Sequence, residues 1–314
     1  MSNGNDTATA EDNKCLDKTD THVYGGVKLM WTCMPSTLDA LKTFEVRDDD
    51  VFLVTYPKAG TTWLQELVSL ISMDGDIDEV VDIPVDARAP HLEITVPFDR
   101  QGTITAPPSY LSIATMDSPR LIKTHLPMDL LPRQIKEKRT KVIYVARNPK
   151  DLAVSFFHFY KVNPFLATYK AWGDFLTDFM KGDVIYGKWC DHVISWWKER
   201  HSDNVLFLKY EDMKKDLKSA TEEISLFMGK ELDQSTISRI AEHCSFDSMK
   251  KNPMTLKTYL CAAMDIDADK ESPFVRKGKV GGWKDQFTVA QNEALNRLYR
   301  RWMHGTGLDF DFEI

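Results

Sequence analysis

The chain has 314 residues, room for one large domain or two smaller ones, and its 43% hydrophobic and 28% charged content is that of an ordinary globular protein. A net charge of −7 excludes a general nucleic-acid binder, so any anion site must be a local concentration of Lys and Arg in an acidic body. No apolar run reaches the ~20 residues of a membrane span.

Residues 1–22 are polar, lack the apolar core of a secretory signal, and read as a disordered lead-in to one domain over 23–314. Residues 23–50 mix apolar and charged positions without a clear period. The β-branched run Val51-Phe52-Leu53-Val54-Thr55 predicts a buried strand. The turn Tyr56-Pro57-Lys58-Ala59-Gly60 follows, and from Thr61 the apolar residues Trp63, Leu64, Leu67, Val68, Leu70 and Ile71 fall on one side of a helix. A strand, a glycine-bearing turn and a helix aim free backbone N–H groups at an anion; Gly60 permits close approach, Thr61 and Thr62 add donors, and Lys58 adds a charge. This is not a nucleoside-triphosphatase loop of the G-x-x-x-x-G-K-[ST] kind, because Lys58 precedes the only glycine. The turn suits another phosphate-bearing ligand; its plainer reading is a βα turn with a capping Thr.

Residues 74–119 are rich in Asp and Pro and predict a long wall or lid facing an acceptor. Arg120-Leu121-Ile122-Lys123-Thr124-His125 predicts a short strand, and a His at the carboxyl end of such a strand lies where open α/β sheets bind ligands. Lys141–Ala146 predicts another buried strand, followed by Arg147 and by a helix from Pro149 through Tyr160 that carries Ser155. Arg147 at that strand end can grip a phosphate with two N–H groups; otherwise it makes a surface ion pair. A helix over 187–201, a strand at Val205–Leu208 and helical periodicity over 221–244 follow, with Trp189, Trp196 and Trp197 read as core. After a second loop at 250–275, Phe274–Lys284 holds four basic residues and three glycines, the makings of an anion clamp or a solvated basic loop. A last helix is expected from about 289 to 302. The alternation implies a single α/β domain, a central parallel β-sheet flanked by helices on both faces. Five cysteines (Cys15, Cys33, Cys190, Cys244, Cys261), with no C-x-x-C pair, argue against zinc or a disulfide framework and for the cytosol.

Four separated stretches, TYPKAGTTW at 55–63, KTHLP at 123–127, ARNPKDLAVSFFHFY at 146–160 and FVRKGKVGGWKDQFT at 274–288, together resemble the cytosolic sulfotransferases in order and spacing. The resemblance extends through LKYEDMKKD at 208–216 and CSFDSMKKNP at 244–253. It implies 3′-phosphoadenosine 5′-phosphosulfate (PAPS) as sulfuryl donor, PAP (3′-phosphoadenosine 5′-phosphate) as product, no metal, a small acceptor with a hydroxyl or alternatively an amine, and a homodimer. On that resemblance Lys58, Ala59, Gly60, Thr61, Thr62 and Trp63 form the 5′-phosphosulfate loop, with Trp63 near the adenine. Arg147 and Ser155, with Arg276, Lys277 and Gly278, hold the 3′-phosphate. Tyr210, Cys244, Phe246, Met249 and Phe274 match positions around the nucleotide. His125 matches the catalytic base, Lys123 lies beside it, and Ser155 is expected to restrain Lys58. Lys284, Thr288, Val289 and Glu293 match the dimer motif, although Thr288 also reads as a helix N-cap.

The chain departs from the family pattern at Ala59, Cys244 and Gly282, where Ser, Thr and Asp are more usual, and at His91, where an aromatic commonly lines the acceptor pocket. His91 implies a more polar pocket. The other readings are a nucleotide phosphotransferase, disfavoured by the loop and the 3′-phosphate clamps, a non-catalytic nucleotide sensor, opposed by intact Lys58, His125 and Ser155, and a dehydratase that sulfates an alcohol and then eliminates it.

Overall fold

The computed structural model describes residues 21–95, 106–163, 165–256 and 274–314. Cys15, Cys261, nearly all of the lead-in and most of the 250–275 loop lie outside them. The chain enters through a hairpin, β1 (Thr21–Tyr24) and β2 (Val27–Met30), antiparallel about Gly25-Gly26. β3 (Val51–Thr55), β4 (Leu121–Thr124), β5 (Lys141–Ala146) and β6 (Val205–Lys209) then form a parallel sheet in the order β4-β3-β5-β6.

Alternation along the strands splits the core in two. Phe52, Val54, Ile122, Val142 and Tyr144 face one layer, packed with Phe156, Phe175, Trp189 and Tyr299. Val51, Leu53, Leu121, Ile143 and Val145 face the other, packed with Leu64, Leu67, Ile71, Ile224 and Ile240. Both faces are therefore covered by helices, as an all-parallel sheet requires. The chain leaves β3 to lay β4 on one side and returns to lay β5 on the other, so the direction of winding reverses at β3. Ligand crevices form outside the carboxyl ends of strands at such a point. Val51 pairs with both Leu121 and Lys141, which brings the segments after Thr55, Thr124 and Ala146 to one edge.

The loop regions hold more structure than their sequence suggested. Residues 23–50 contain most of the hairpin and a Pro35–Leu41 helix; 74–119 contain short helices at Val85–Arg88 and Ser109–Ala114. A Trp172–Lys181 helix stands where no element was expected, and the 221–244 periodicity divides at Gly229 into helices ending at Met228 and starting at Gln234.

Candidate functional site

A cavity of about 390 Å³ opens at the carboxyl edge of the sheet, within the size range of small-ligand pockets. One end is built on the turn after β3. Lys58 has φ 70° and Gly60 φ 111°, two left-handed residues in a tight turn. A Cβ at Gly60 would sit 2.9 Å from the Tyr210 ring, so a larger residue would be both strained and crowded. Gly60 is the N-cap of the Thr61–Ser72 helix and supplies no side-chain cap, so the first N–H groups of that helix can serve an anion.

Around this turn the cavity is lined by Lys58, Arg147, Lys214, Arg276, Lys277 and Lys279, a dense cationic ring in a chain of net charge −7. Arg147 leaves β5 at its carboxyl end and is nearly buried. It donates to the Lys58 carbonyl at 3.2 Å and the Lys279 carbonyl at 3.1 Å, and lies 4.3 Å from the Tyr210 ring centre. It thereby ties the turn after β3 to the basic loop near the C-terminus. Trp63 meets Tyr210 edge to face at 5.2 Å and donates from Nε1 to the Cys244 carbonyl at 2.8 Å. Gly278, at φ 59°, passes against the Phe246 ring, where any Cβ would collide. Trp63, Tyr210, Phe246 and Met249 give this end aromatic and apolar walls beside its cations.

The other end is built on β4. His125 follows Thr124, and its Nδ1 lies 2.8 Å from the Thr55 carbonyl oxygen and 3.1 Å from Thr55 Oγ1. A carbonyl oxygen only accepts, so the ring proton sits on Nδ1 and Nε2 is the basic nitrogen of the ring. The His125 backbone N–H donates at 2.8 Å to Glu93 Oε1, which also accepts from Tyr186 Oη at 3.2 Å. Glu93 is fully buried, and that burial raises its pKa. His91 and Tyr186 flank the His125 ring edge to face, with centroids 4.9 Å and 5.4 Å away. His91 Nε2 lies 3.5 Å from Glu93 Oε1. Lys123, on the same side of β4 as His125, forms an ion pair with Asp86, which also accepts from Gln65 at 3.1 Å. Met30, Pro90, Ile94 and Ile185 complete an apolar wall.

The cavity thus collects Lys58, Gly60, Thr61, Thr62, Trp63, His91, Lys123, His125, Arg147, Ser155, Tyr210, Phe246, Met249, Phe274, Arg276, Lys277 and Gly278. Ala59 and Cys244 stand apart, with side chains fully buried in the two core layers, and Cys244 meets the site through its carbonyl, which accepts from Trp63. Lys58 Nζ packs 4.8 Å from the Phe159 ring centre and 5.6 Å from that of Phe274, and Ser155 lines the cavity with them. Lys284, Thr288, Val289 and Glu293 lie exposed, away from the cavity. Thr288 caps the Val289–Met303 helix with a complete capping box, and Lys284 pairs with Glu313 at 2.7 Å.

Several residues at or behind the site carry no sequence signal of their own. Asp151 accepts at 2.8 Å from both the Gly281 and Trp283 N–H groups, fastening the basic loop to the Pro149–Val162 helix. Glu211, its pKa raised by burial, accepts from the Asn148 backbone and side chain at 2.8 Å each. Asp86, Glu93 and Tyr186 shape the His125 end. Asp151 lies in the matching stretch 146–160, and its N–H is capped by Asn148 Oδ1 at 2.9 Å, but its hold on the basic loop has no local signal.

Among the described residues no group of His, Cys, Asp and Glu could hold a metal ion, and no helix is long and apolar enough to cross a membrane. Cys33, Cys190 and Cys244 are free and buried.

An open α/β sheet whose switch-point crevice joins a cationic cradle to a histidine defines a group-transfer enzyme acting on an anionic donor. Residues 48–307 match the Sulfotransferase domain family, and the chain belongs to that family. Sulfotransferase 1A1 of Bos taurus is 43% identical over 281 residues, 88% of this chain and 91% of the relative. Sulfotransferase 1C2 of Homo sapiens is 40% identical over 283 residues, 89% of this chain and 93% of the relative. The mouse sulfotransferase SULT7A1, solved with PAP, shares 35% identity over 91% of this chain and 94% of its own, at a TM-score of 0.73. Retinol dehydratase, solved with retinol and PAP, shares 27% identity over 97% of both chains at a TM-score of 0.81. The protein is a sulfotransferase of α/β fold.

Proposed function

We propose that this sulfotransferase moves a sulfuryl group from PAPS to the hydroxyl of a small acceptor, with His125 as the base. The observation that carries the reading is the joining of two ends in one cavity: a cationic, glycine-turned cradle and a His125 whose proton is fixed on Nδ1. The cradle suits a doubly phosphorylated nucleotide, because Gly60 leaves room for an anion at a helix N-terminus and the cations exceed what one phosphate needs. Gly60, Thr61, Thr62 and Lys58 would hold the phosphosulfate; Arg147, Ser155, Arg276, Lys277 and Gly278 would hold the 3′-phosphate, with the base near Trp63, Tyr210, Phe246 and Met249. The PAP-bound relatives support this choice of donor.

Sulfuryl transfer, like phosphoryl transfer, is an in-line displacement in which positioning and electrostatics do most of the catalysis. His125 Nε2 removes the acceptor's proton, and the Thr55 carbonyl steadies the imidazolium through Nδ1–H. Lys58 and the N–H groups of the turn face the oxygen on which charge collects as the nucleotide departs. Lys123, ion-paired to Asp86, holds the floor beside His125.

The acceptor is a small hydroxylated molecule, a phenol, a steroid or another alcohol; retinol and androsterone are the partners of the structurally similar retinol dehydratase. His91, Asp86 and Lys123 give the pocket polar character alongside its apolar wall. The similarity to retinol dehydratase keeps a second reading open, sulfation followed by elimination. Product analysis separates the two: a stable sulfate ester supports simple transfer, an alkene and free sulfate the second reading. The protein would act in the cytosol, where thiols such as buried Cys33, Cys190 and Cys244 stay reduced, as a dimer through Lys284, Thr288, Val289 and Glu293. Transfer of labelled sulfate from PAPS to a panel of phenols and alcohols tests the activity; no transfer to any of them, with PAP bound, would count against it.

A further inference from the structure

No residue of the Trp189–Lys198 helix lines the cavity, yet one of its side chains reaches His125 from behind. His192 is almost fully buried, and its Nε2 lies 3.1 Å from the His125 carbonyl oxygen. Because that oxygen only accepts, Nε2 carries a proton. Burial pushes the His192 pKa down to about 4, so the ring is neutral near pH 7 and its Nδ1 is an acceptor. Tyr144 Oη donates to it at 2.8 Å. Tyr144 is in turn stacked on Trp196 at 5.6 Å and Phe207 at 5.1 Å, a close-packed seat with little freedom.

The same imidazole also touches the donor cradle. Tyr56, the first residue of the turn after β3, meets the His192 ring edge to face at 5.5 Å and is pinned by its own hydroxyl to the Gly187 carbonyl at 2.7 Å. His192 is thus the one side chain among these that contacts both the peptide of His125 and the root of the turn bearing Lys58.

We propose that His192 is a positioning residue: by donating to the His125 carbonyl while packing on Tyr56, it sets the base at its working distance from the donor loop. This inference rests on the reading of His125 as the base. Glu93 holds the N–H of the peptide that precedes the His125 Cα and His192 holds the carbonyl of the peptide that follows it, so together they fix the backbone on both sides of the base. A small misplacement of a catalytic group can cost about a hundredfold in rate.

The test uses full-length protein and four variants, measured for kcat, acceptor KM and PAP affinity. His192→Phe keeps a ring in the seat and removes both hydrogen bonds; kcat should fall about a hundredfold while KM and PAP affinity hold. His192→Gln can still donate to the His125 carbonyl and should recover about tenfold of that loss. Tyr144→Phe removes only the far hydroxyl and should lower kcat several-fold without altering either binding constant. It decides the matter if His192→Phe does not fold. Wild-type kcat in His192→Phe or Tyr144→Phe would overturn the inference, as would a loss that tracks PAP affinity and is not recovered by Gln. His125→Ala separates the two claims. If it retains turnover, the base reading fails and the inference falls with it; if it is inactive while His192→Phe and Tyr144→Phe keep wild-type kcat, only the positioning role fails.

Discussion

His125 gains its chemistry from a backbone oxygen. The Thr55 carbonyl, at the end of β3, fixes the proton on Nδ1, and in the proposed mechanism this leaves Nε2 as the nitrogen that meets the acceptor. His125→Ala should abolish transfer while leaving PAP affinity near that of the wild type, since the donor cradle is built on other strands; turnover assays and calorimetry on the same preparation check both halves. His91 is a different case, because it stands where an aromatic is common in the family and touches His125 at 4.9 Å. His91→Phe should shift the ratio of kcat/KM for a polar over an apolar acceptor about tenfold toward the apolar one, the value of one lost hydrogen bond. An unchanged ratio across a matched acceptor panel would remove His91 from acceptor selection. Lys58, His125 and Arg147 were legible in the sequence because each follows directly on a recognisable strand. The roles of Asp86, Glu93, Asp151 and His192 were not, because each depends on a partner 30 or more residues away.

At the scale of elements, the site depends on how β3 turns into the helix that follows. Gly60 combines φ 111° with a Tyr210 ring that leaves no space for a Cβ. Gly60→Ala should weaken PAP binding about tenfold or more through backbone strain and crowding against Tyr210, with little change in acceptor KM. Equal affinity in the variant would mean that the turn does not touch the nucleotide. The four sheet strands, and the helices that follow the first and third of them in chain order, were readable because buried parallel strands are short, nearly continuous apolar runs. The hairpin at Thr21–Met30 was missed although its signal was present, Gly25-Gly26 between two short alternating runs. The Trp172–Lys181 helix was missed because no side-chain cap marks its start; packing of Trp172, Phe175 and Phe179 on the core defines it instead.

The molecule as a whole joins acid sensitivity to its buried histidines. His192 titrates at about 4 in the fold against 6.5 as its ordinary value, so between those limits the unfolded chain binds a proton that the folded chain does not. The resulting stability is complete above pH 6.5 and is lost as pH falls toward 4, about 3 kcal/mol for His192. Burial and the nearby charge of Arg276 lower His158 to about 4 as well, and its effect runs in the same direction but is reduced by its exposure. Thermal melts from pH 7 to pH 4 should show the decline, with a shallower slope in His192→Gln; a flat profile would contradict the neutral burial of these rings. Val289, 76% exposed at the start of the last helix, belongs to the proposed dimer face. Val289→Glu should convert the protein to a monomer by light scattering, and a wild-type protein that is already monomeric would exclude that face.

The central claim is that the cationic cradle takes a 3′-phosphorylated adenine nucleotide, and calorimetric titration with PAP, beside ADP, tests it most directly. Arg147 and Arg276, with Lys277, should make PAP bind about a hundredfold or more tighter than ADP, since two charge-assisted hydrogen bonds at about 1.5 kcal/mol each amount to that ratio. Equal affinity for the two nucleotides, or binding of neither, would contradict the assignment of the cradle and with it the proposed donor.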